Sequence, residues 1–339
     1  MNLNFASDNT GPVAGPVMDA MVAANAGGTM PYGADPWMDE VRDGLRSLFD
    51  WPEAEVLLVS TGTAANALAL ATLVEPWEAV FCHRLSHVEA DECGAPEFYT
   101  GGAKLVLVDG EDAKMAPEAL DAAVSRTGGS VHGVQRGAIS LTNVTEAGTI
   151  YTLAELDVLC SYARELNLPV HLDGARFANA CAALDCSAAE MVRGADIVSF
   201  GGTKNGCMGV EAIVMRDPSK GWQAALRRKR AGHLWSKHRF LSAQMAAYLR
   251  DNLWLENARA ANAAGQRLAQ GLRTIGAEIV HEPAANMIFA RLPAEAHHRA
   301  QKEAQYYLMD DQERPLCRLV CDFTKTDKEV DRLLELFAG

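Results

Sequence analysis

An α/β fold with a mostly parallel central sheet, helices on both faces and a smaller C-terminal α+β unit is the class this sequence predicts, on three observations. Strand-like and helix-like segments alternate up to about residue 217, the order that builds a layered α/β sheet. After Asp217 the pattern changes to long helical stretches followed by short strands. The chain has 339 residues, 49% of them apolar and 22% charged, which suits one large core with a smaller companion and excludes disorder. The expected organisation is an N-terminal arm over 1–20, a large domain over 21–250 and a small C-terminal domain over 251–339.

The elements follow in order. Glu55 to Ser60 is an apolar run of strand length, and the Ala- and Leu-rich stretch Thr63 to Val74 reads as a helix. Ala79 to Cys82 and Leu105 to Asp109 are strands, Pro117 to Arg126 opens as a helix with Pro in its first turn, and Ala138 to Thr142 is extended. Thr152 and Glu155 form a capping box that starts a helix running to Asn167. Val170-His171-Leu172 and Ala195 to Phe200 are further strands. Beyond them, Gly221 to Gly232 and Leu241 to Leu272 are helical, Glu278 to Val280, Met287 to Leu292 and Arg318 to Cys321 extended, and Lys328 to Phe337 a last helix.

A formal net charge of −13 argues against nonspecific binding to nucleic acid or to an anionic membrane. The basic run Arg227-Arg228-Lys229-Arg230 therefore needs a local explanation. Eight cysteines carry neither a CxxC nor a His/Cys metal spacing, so they read as thiols of a reducing compartment, and no metal site is expected. No basic segment followed by an apolar run opens the chain and no apolar stretch reaches membrane-spanning length, which makes the cytoplasm the expected location.

Two segments carry the chemistry: His171-Leu172-Asp173-Gly174-Ala175-Arg176-Phe177 and Ser199-Phe200-Gly201-Gly202-Thr203-Lys204-Asn205-Gly206. Each is a strand running into a loop. Asp173 and Lys204 lie 31 residues apart, about one strand-helix-strand unit, which sets them on nearby strand ends facing one crevice. An acid and a lysine so placed suit pyridoxal 5'-phosphate, the lysine forming a Schiff base with its aldehyde and the acid keeping its ring nitrogen protonated. The plain alternative is a solvated ion pair. Gly201, Gly202 and Gly206 favour the cofactor, since they let backbone and a planar ligand approach closely.

Ser60-Thr61-Gly62-Thr63-Ala64-Ala65-Asn66 joins a strand to a helix, so its backbone N–H groups and hydroxyls suit a phosphate at the helix N-terminus, the alternative being an ordinary N-cap. His87, among acids in Ser86-His87-Val88-Glu89-Ala90-Asp91-Glu92, suits stacking on the ring and taking up a proton, the alternative being a cap or surface residue.

The ordered set Phe5-Ala6-Ser7-Asp8-Asn9, Tyr32-Gly33-Ala34-Asp35, Thr61-Gly62-Thr63-Ala64-Ala65-Asn66, Ser86-His87-Val88-Glu89, the Asp173 and Lys204 segments, and Arg318-Leu319-Val320 resembles the low-specificity L-threonine aldolases over nearly the whole chain. That resemblance implies fold type I of the pyridoxal-phosphate enzymes, active sites at a dimer interface and a homodimer or homotetramer. It implies cleavage of L-threonine and L-allo-threonine to glycine and acetaldehyde. It makes Lys204 the Schiff-base lysine, Asp173 the partner of the ring nitrogen, Thr61, Gly62 and Thr63 phosphate ligands, and His87 the stacking residue. Ser7, Arg176 and Arg318 are then expected to hold the substrate carboxylate, with Tyr32 and Lys237 reaching across the interface, Tyr32 to the substrate and Lys237, like Arg176, to the cofactor. Two departures stand out: Ala34 replaces a family acid, and Thr142-Asn143-Val144-Thr145-Glu146 lacks the His of the family's Asn-Thr-His. The runner-up reactions are β-elimination or transamination on the same fold. A Rossmann-type nucleotide binder is disfavoured because no GxGxxG follows an early strand, and a non-catalytic scaffold is the third alternative.

Overall fold

Seven strands form the central sheet: β1 (Glu55–Val59), β2 (Glu78–His83), β3 (Lys104–Val108), β4 (Gln135–Thr142), β5 (Val170–Gly174), β6 (Ile197–Gly201) and β7 (Glu211–Met215). A computed structural model describes residues 3–339; Met1 and Asn2, part of the expected N-terminal arm, lie outside the described residues. The spatial order is β1-β7-β6-β5-β4-β2-β3, and every pairing is parallel except those of β7 with its two neighbours. The sheet is therefore mostly parallel, as expected.

Both faces are covered. Successive residues of β1 enter different apolar clusters, Val56 and Leu58 on one side, Leu57 and Val59 on the other, which is why the strand reads as a continuous apolar run. The helix Gly62–Leu73 packs on the second face, and Ala at most of its buried positions lets it lie close to the sheet. The capping box at Thr152 is present, with Glu155 N–H donating to the Thr152 hydroxyl at 3.2 Å and Thr152 N–H donating to the Glu155 carboxylate at 2.7 Å.

The expected helix from Leu241 to Leu272 is two helices, Arg239–Leu249 and Leu253–Thr274, broken at Arg250–Asn252. Asp251 and Asn252 take φ values of 51° and 57°, a left-handed conformation that short polar side chains tolerate and that ends a helix. Helical periodicity continues through the break, so the sequence pattern hides it. The helices Gly15–Ala24 and Pro36–Phe49 and strand β7 were absent from the sequence expectation. Pro36 at the first helical position and Asp35, whose side chain accepts from Met38 N–H at 3.1 Å, mark the second helix start.

Beyond the large sheet, the strands Glu278–Ile279, Met287–Arg291, Tyr307–Leu308 and Leu316–Val320 form a small antiparallel sheet. The N-terminal segment is tied to this unit: Leu3 and Asn4 pair with Ala304 and Gln305, and Val320 N–H donates to Phe5 C=O at 2.8 Å. The basic run also has its local explanation. It closes the helix Gly221–Arg230, where cations meet the carbonyl end, and Arg228 is buried with its guanidinium donating to Leu58 C=O at 3.2 Å.

Candidate active site

The parallel register of β5 and β6 pairs Asp173 with Ser199, so both strands end on the same edge and deliver Asp173 and, three residues beyond β6, Lys204 to one crevice. Phe177 and Phe200, one in each of the two segments, pack edge to face at 5.4 Å and hold the loops together. Asn205 anchors the lysine from the other side, donating to the Tyr248 hydroxyl at 2.6 Å and to Trp254 C=O at 2.7 Å. Lys204 itself is half-buried.

Asp173 and Lys204 line a cavity of about 270 Å³ together with Asn9, Ser60, Thr61, Gly62, Thr63, Asn66, His87, Ala175, Thr203 and Glu211. Asp173 is only 1% exposed and forms no ion pair among the described residues; its oxygens accept from Asn66 Nδ2 at 2.9 Å and from Ala175 N–H at 3.0 Å. A carboxylate desolvated without a cation is costly, and a protonated ring nitrogen offsets that cost. At the mouth of the helix Gly62–Leu73, a Cβ on Gly62 would meet nothing within 4 Å, and the Gly62 and Thr63 N–H groups face the cavity end of the helix, where an anion is favoured. The donor set thus fits pyridoxal phosphate: an amine, a buried acid without an ion-pair partner and a helix N-terminus around one cavity.

Several expected roles change in detail. The Thr61 hydroxyl caps its own helix, accepting from Ala64 N–H at 3.2 Å. Gly201 and Gly206 serve protein packing rather than ligand approach: a Cβ on Gly201 would lie 2.6 Å from Ala175 C=O, and one on Gly206, at φ +110°, would lie 2.7 Å from the Asn257 amide. Arg176 is buried in a two-bond pair with Asp8, Nε donating at 2.7 Å and a terminal nitrogen at 3.2 Å. Burial alone would raise the Asp8 carboxyl, but Arg176, Lys204 and the bond from Asn286 together hold it below the usual carboxylate range.

Ser7 sits one residue before Asp8, its hydroxyl accepting from Asn9 N–H at 3.2 Å. Arg318 donates to Ala6 C=O at 3.2 Å, lies 4.9 Å over the Tyr307 ring and keeps a buried Nε without a partner. Tyr32, 48% exposed, and Lys237, also exposed, do not line the cavity of this chain, and neither do Ser7, Arg176 and Arg318. Asp35, beside the replaced acid at Ala34, is buried as a helix cap and lies 3.7 Å from His238.

Sequence reasoning assigned no role to Asn66, Glu92, Asp8 or Glu211. Asn66 Nδ2 bridges Asp173 and the Glu92 carboxylate, the latter at 2.8 Å, and Glu92 in turn meets His87 Nδ1 at 2.8 Å. Glu211, paired in register with Gly201, accepts from Gly202 N–H at 2.9 Å, and burial pushes its carboxyl up to about 7. The available signal was an acid opening the apolar run Glu211-Ala-Ile-Val-Met.

The family model Beta-eliminating lyase matches residues 4–295, which makes the chain an enzyme of that lyase family. The chain is 38% identical to the low specificity L-threonine aldolase of Pseudomonas aeruginosa, over 98% of this chain and 95% of that protein. It is 27% identical to the Escherichia coli low specificity L-threonine aldolase over 82% of this chain and 81% of the relative. The Leishmania major threonine aldolase structure superposes with a TM-score of 0.94 at 28% identity, covering 98% of each chain. The chain belongs to the low specificity L-threonine aldolase family. Serine palmitoyltransferase of Sphingomonas wittichii, 16% identical over 99% of this chain and 86% of that one, with a TM-score of 0.74, shares the fold.

Proposed function

We propose that this chain is a pyridoxal-phosphate-dependent aldehyde-lyase that cleaves L-threonine, L-allo-threonine and related β-hydroxy-α-amino acids to glycine and an aldehyde. The observation that carries this reading is that Lys204 and the buried Asp173, which has no ion-pair partner among the described residues, line one cavity in a chain of the aldolase family. When bound, pyridoxal phosphate supplies an electron sink for the pair left at Cα. Lys204 Nζ would hold it covalently, Asp173 would keep the proton on its ring nitrogen, and the N–H groups of Gly62 and Thr63, with Thr61 beside them, would take its phosphate.

Arg176, Arg318 and Ser7 would hold the substrate carboxylate and so select which bond at Cα is broken. Arg176 does this from its fixed pair with Asp8. His87 lines the same cavity and accepts the β-hydroxyl proton, directly or through a water. Tyr32 and Lys237 complete the site from a second copy in a homodimer or homotetramer, and the protein works in the cytoplasm. No helix among the described residues is long and apolar enough to cross a membrane.

The test is a side-by-side assay of L-threonine, L-allo-threonine, β-phenylserine and serine. Glycine with acetaldehyde or benzaldehyde is the expected output. Pyruvate and ammonia from serine, without aldehyde from threonine, would replace the reading with β-elimination.

A further inference from the structure

The cavity wall holds a hydrogen-bonded chain that runs Asp173, Asn66, Glu92, His87. Asn66 Nδ2 donates to Asp173 at 2.9 Å and to Glu92 Oε1 at 2.8 Å, spending both its hydrogens on carboxylates. Glu92 Oε1 also faces His87 Nδ1 at 2.8 Å. The Glu92 side chain is fully buried, whereas His87 is 27% exposed and lines the cavity. Asn66 stands on the first turns of the helix Gly62–Leu73 and Asp173 on β5, so two rigid elements fix the chain at one end. The His87 end hangs on Glu92.

We infer that Glu92 is a positioning residue for His87: it holds the proton on Nδ1, so that Nε2 is left as the basic nitrogen facing the cavity. The inference rests on the proposed role of His87 in taking the β-hydroxyl proton. When Nε2 gains that proton, the ring becomes imidazolium while Nδ1–H stays on its bond to Glu92. The O–H electron pair becomes the second bond of the aldehyde carbonyl, and the pair of the breaking Cα–Cβ bond passes to Cα. A carboxylate behind the imidazole stabilises the charge so formed.

Three further features fit. Glu92 Oε2 is buried without any hydrogen-bond partner, so an isolated charge there is poorly compensated and gains most when His87 is cationic. The bond to Glu92 first, then the Asp173 and Glu146 carboxylates, push the His87 imidazole above its ordinary range against the effect of burial. Burial lifts the Glu92 carboxyl, which makes the pair one that shares a proton readily. His87, Asp173 and Asn66 are the groups facing Glu92, and Glu92, Asp173 and Glu146 are the charges felt at His87.

The experiment is nitrogen NMR of ¹⁵N-histidine-labelled, cofactor-loaded protein, with the His87 signal assigned by its loss in His87→Phe. In the wild type above its titration, His87 is expected as the Nδ1–H tautomer. A wild-type Nε2–H tautomer overturns the inference without any variant. In Glu92→Gln the ring is expected to titrate about one pH unit lower, and the acid limb of the kcat/KM profile to move with it. Cleavage by Glu92→Gln is expected to fall roughly tenfold or more, the worth of one charge-assisted bond. In the His87→Phe background the same substitution should cost nothing further. An unchanged His87 titration, or equal losses from Glu92→Gln with and without His87, would show that Glu92 only supports the fold. The NMR readout needs no turnover, so a failure of the threonine reading leaves this test intact.

Discussion

The two ends of the cleft are built differently. At the cofactor end, Asp173, Lys204, Gly62 and Asn66 come from strand ends and a helix start around one sheet, and the register of β5 and β6 sets the acid and the lysine on the same edge. At the other end, Asp8 of the N-terminal segment pairs with Arg176, which follows β5 of the large sheet, and Arg318 of the small sheet reaches Ala6 across 312 residues of chain. The first end rests mainly on backbone pairing within one sheet. The second is held by side-chain bonds between separate segments, so its substitutions should disturb structure as well as chemistry.

The largest effect expected is at the first end. Lys204→Ala should abolish turnover while leaving the unfolding midpoint close to wild type; borohydride reduction followed by peptide mapping should label Lys204, and a label on another lysine would sink the assignment. Asp173→Asn should retain the cofactor and lose at least about a hundredfold in turnover, because an amide cannot hold the ring charge. Near-normal turnover would remove the electron-sink role.

Asp8→Ala probes the opposite end. It leaves Arg176 buried without its carboxylate, and a loss of about 3–5 kcal/mol in urea unfolding is expected, as for other broken buried pairs. A wild-type midpoint there would mean that the two ends do not differ as argued. Glu211 links the comparison to pH. Its carboxyl is raised by burial to about 7, so its contribution to stability is fully present below the ordinary carboxylate range and is lost as pH rises through 7, on the order of 3 kcal/mol. Glu211→Gln should flatten that part of the stability profile, and an unchanged slope between pH 5 and 8 would contradict it. The smallest effect is Arg318→Lys: a point charge replaces a planar fork, and KM for threonine should rise about tenfold with kcat little changed. An unaltered KM would take Arg318 out of carboxylate recognition.

The same contrast explains what could be read from the chain. The Asp173 and Lys204 motifs were legible because each is an apolar strand ending in a polar loop, a local pattern that survives without knowledge of neighbours. Capping at Thr152 was legible for the same reason. The break at Asp251 and Asn252 was hidden, because apolar periodicity resumes after it and only the backbone angles reveal the turn. Glu92 and Asn66 looked like one acid among several and one polar residue in an alanine-rich helix. Their roles exist only through bonds to residues 26 and 107 positions away from Asn66.

By itself, then, the order of residues determined the α/β class, the crevice at the ends of β5 and β6 and the identity of the acid and lysine facing it, since these follow from periodicity and from residues close in sequence. Tertiary structure decided which groups are buried, which charges are left without a partner and which segments meet. It set Arg176 against Asp8, gave the Gly201 and Gly206 positions to backbone and side-chain packing, and turned Glu92 toward His87. The physical reason is that desolvation and hydrogen-bond partnership depend on what surrounds a group in space, and residues hundreds of positions apart supply those surroundings.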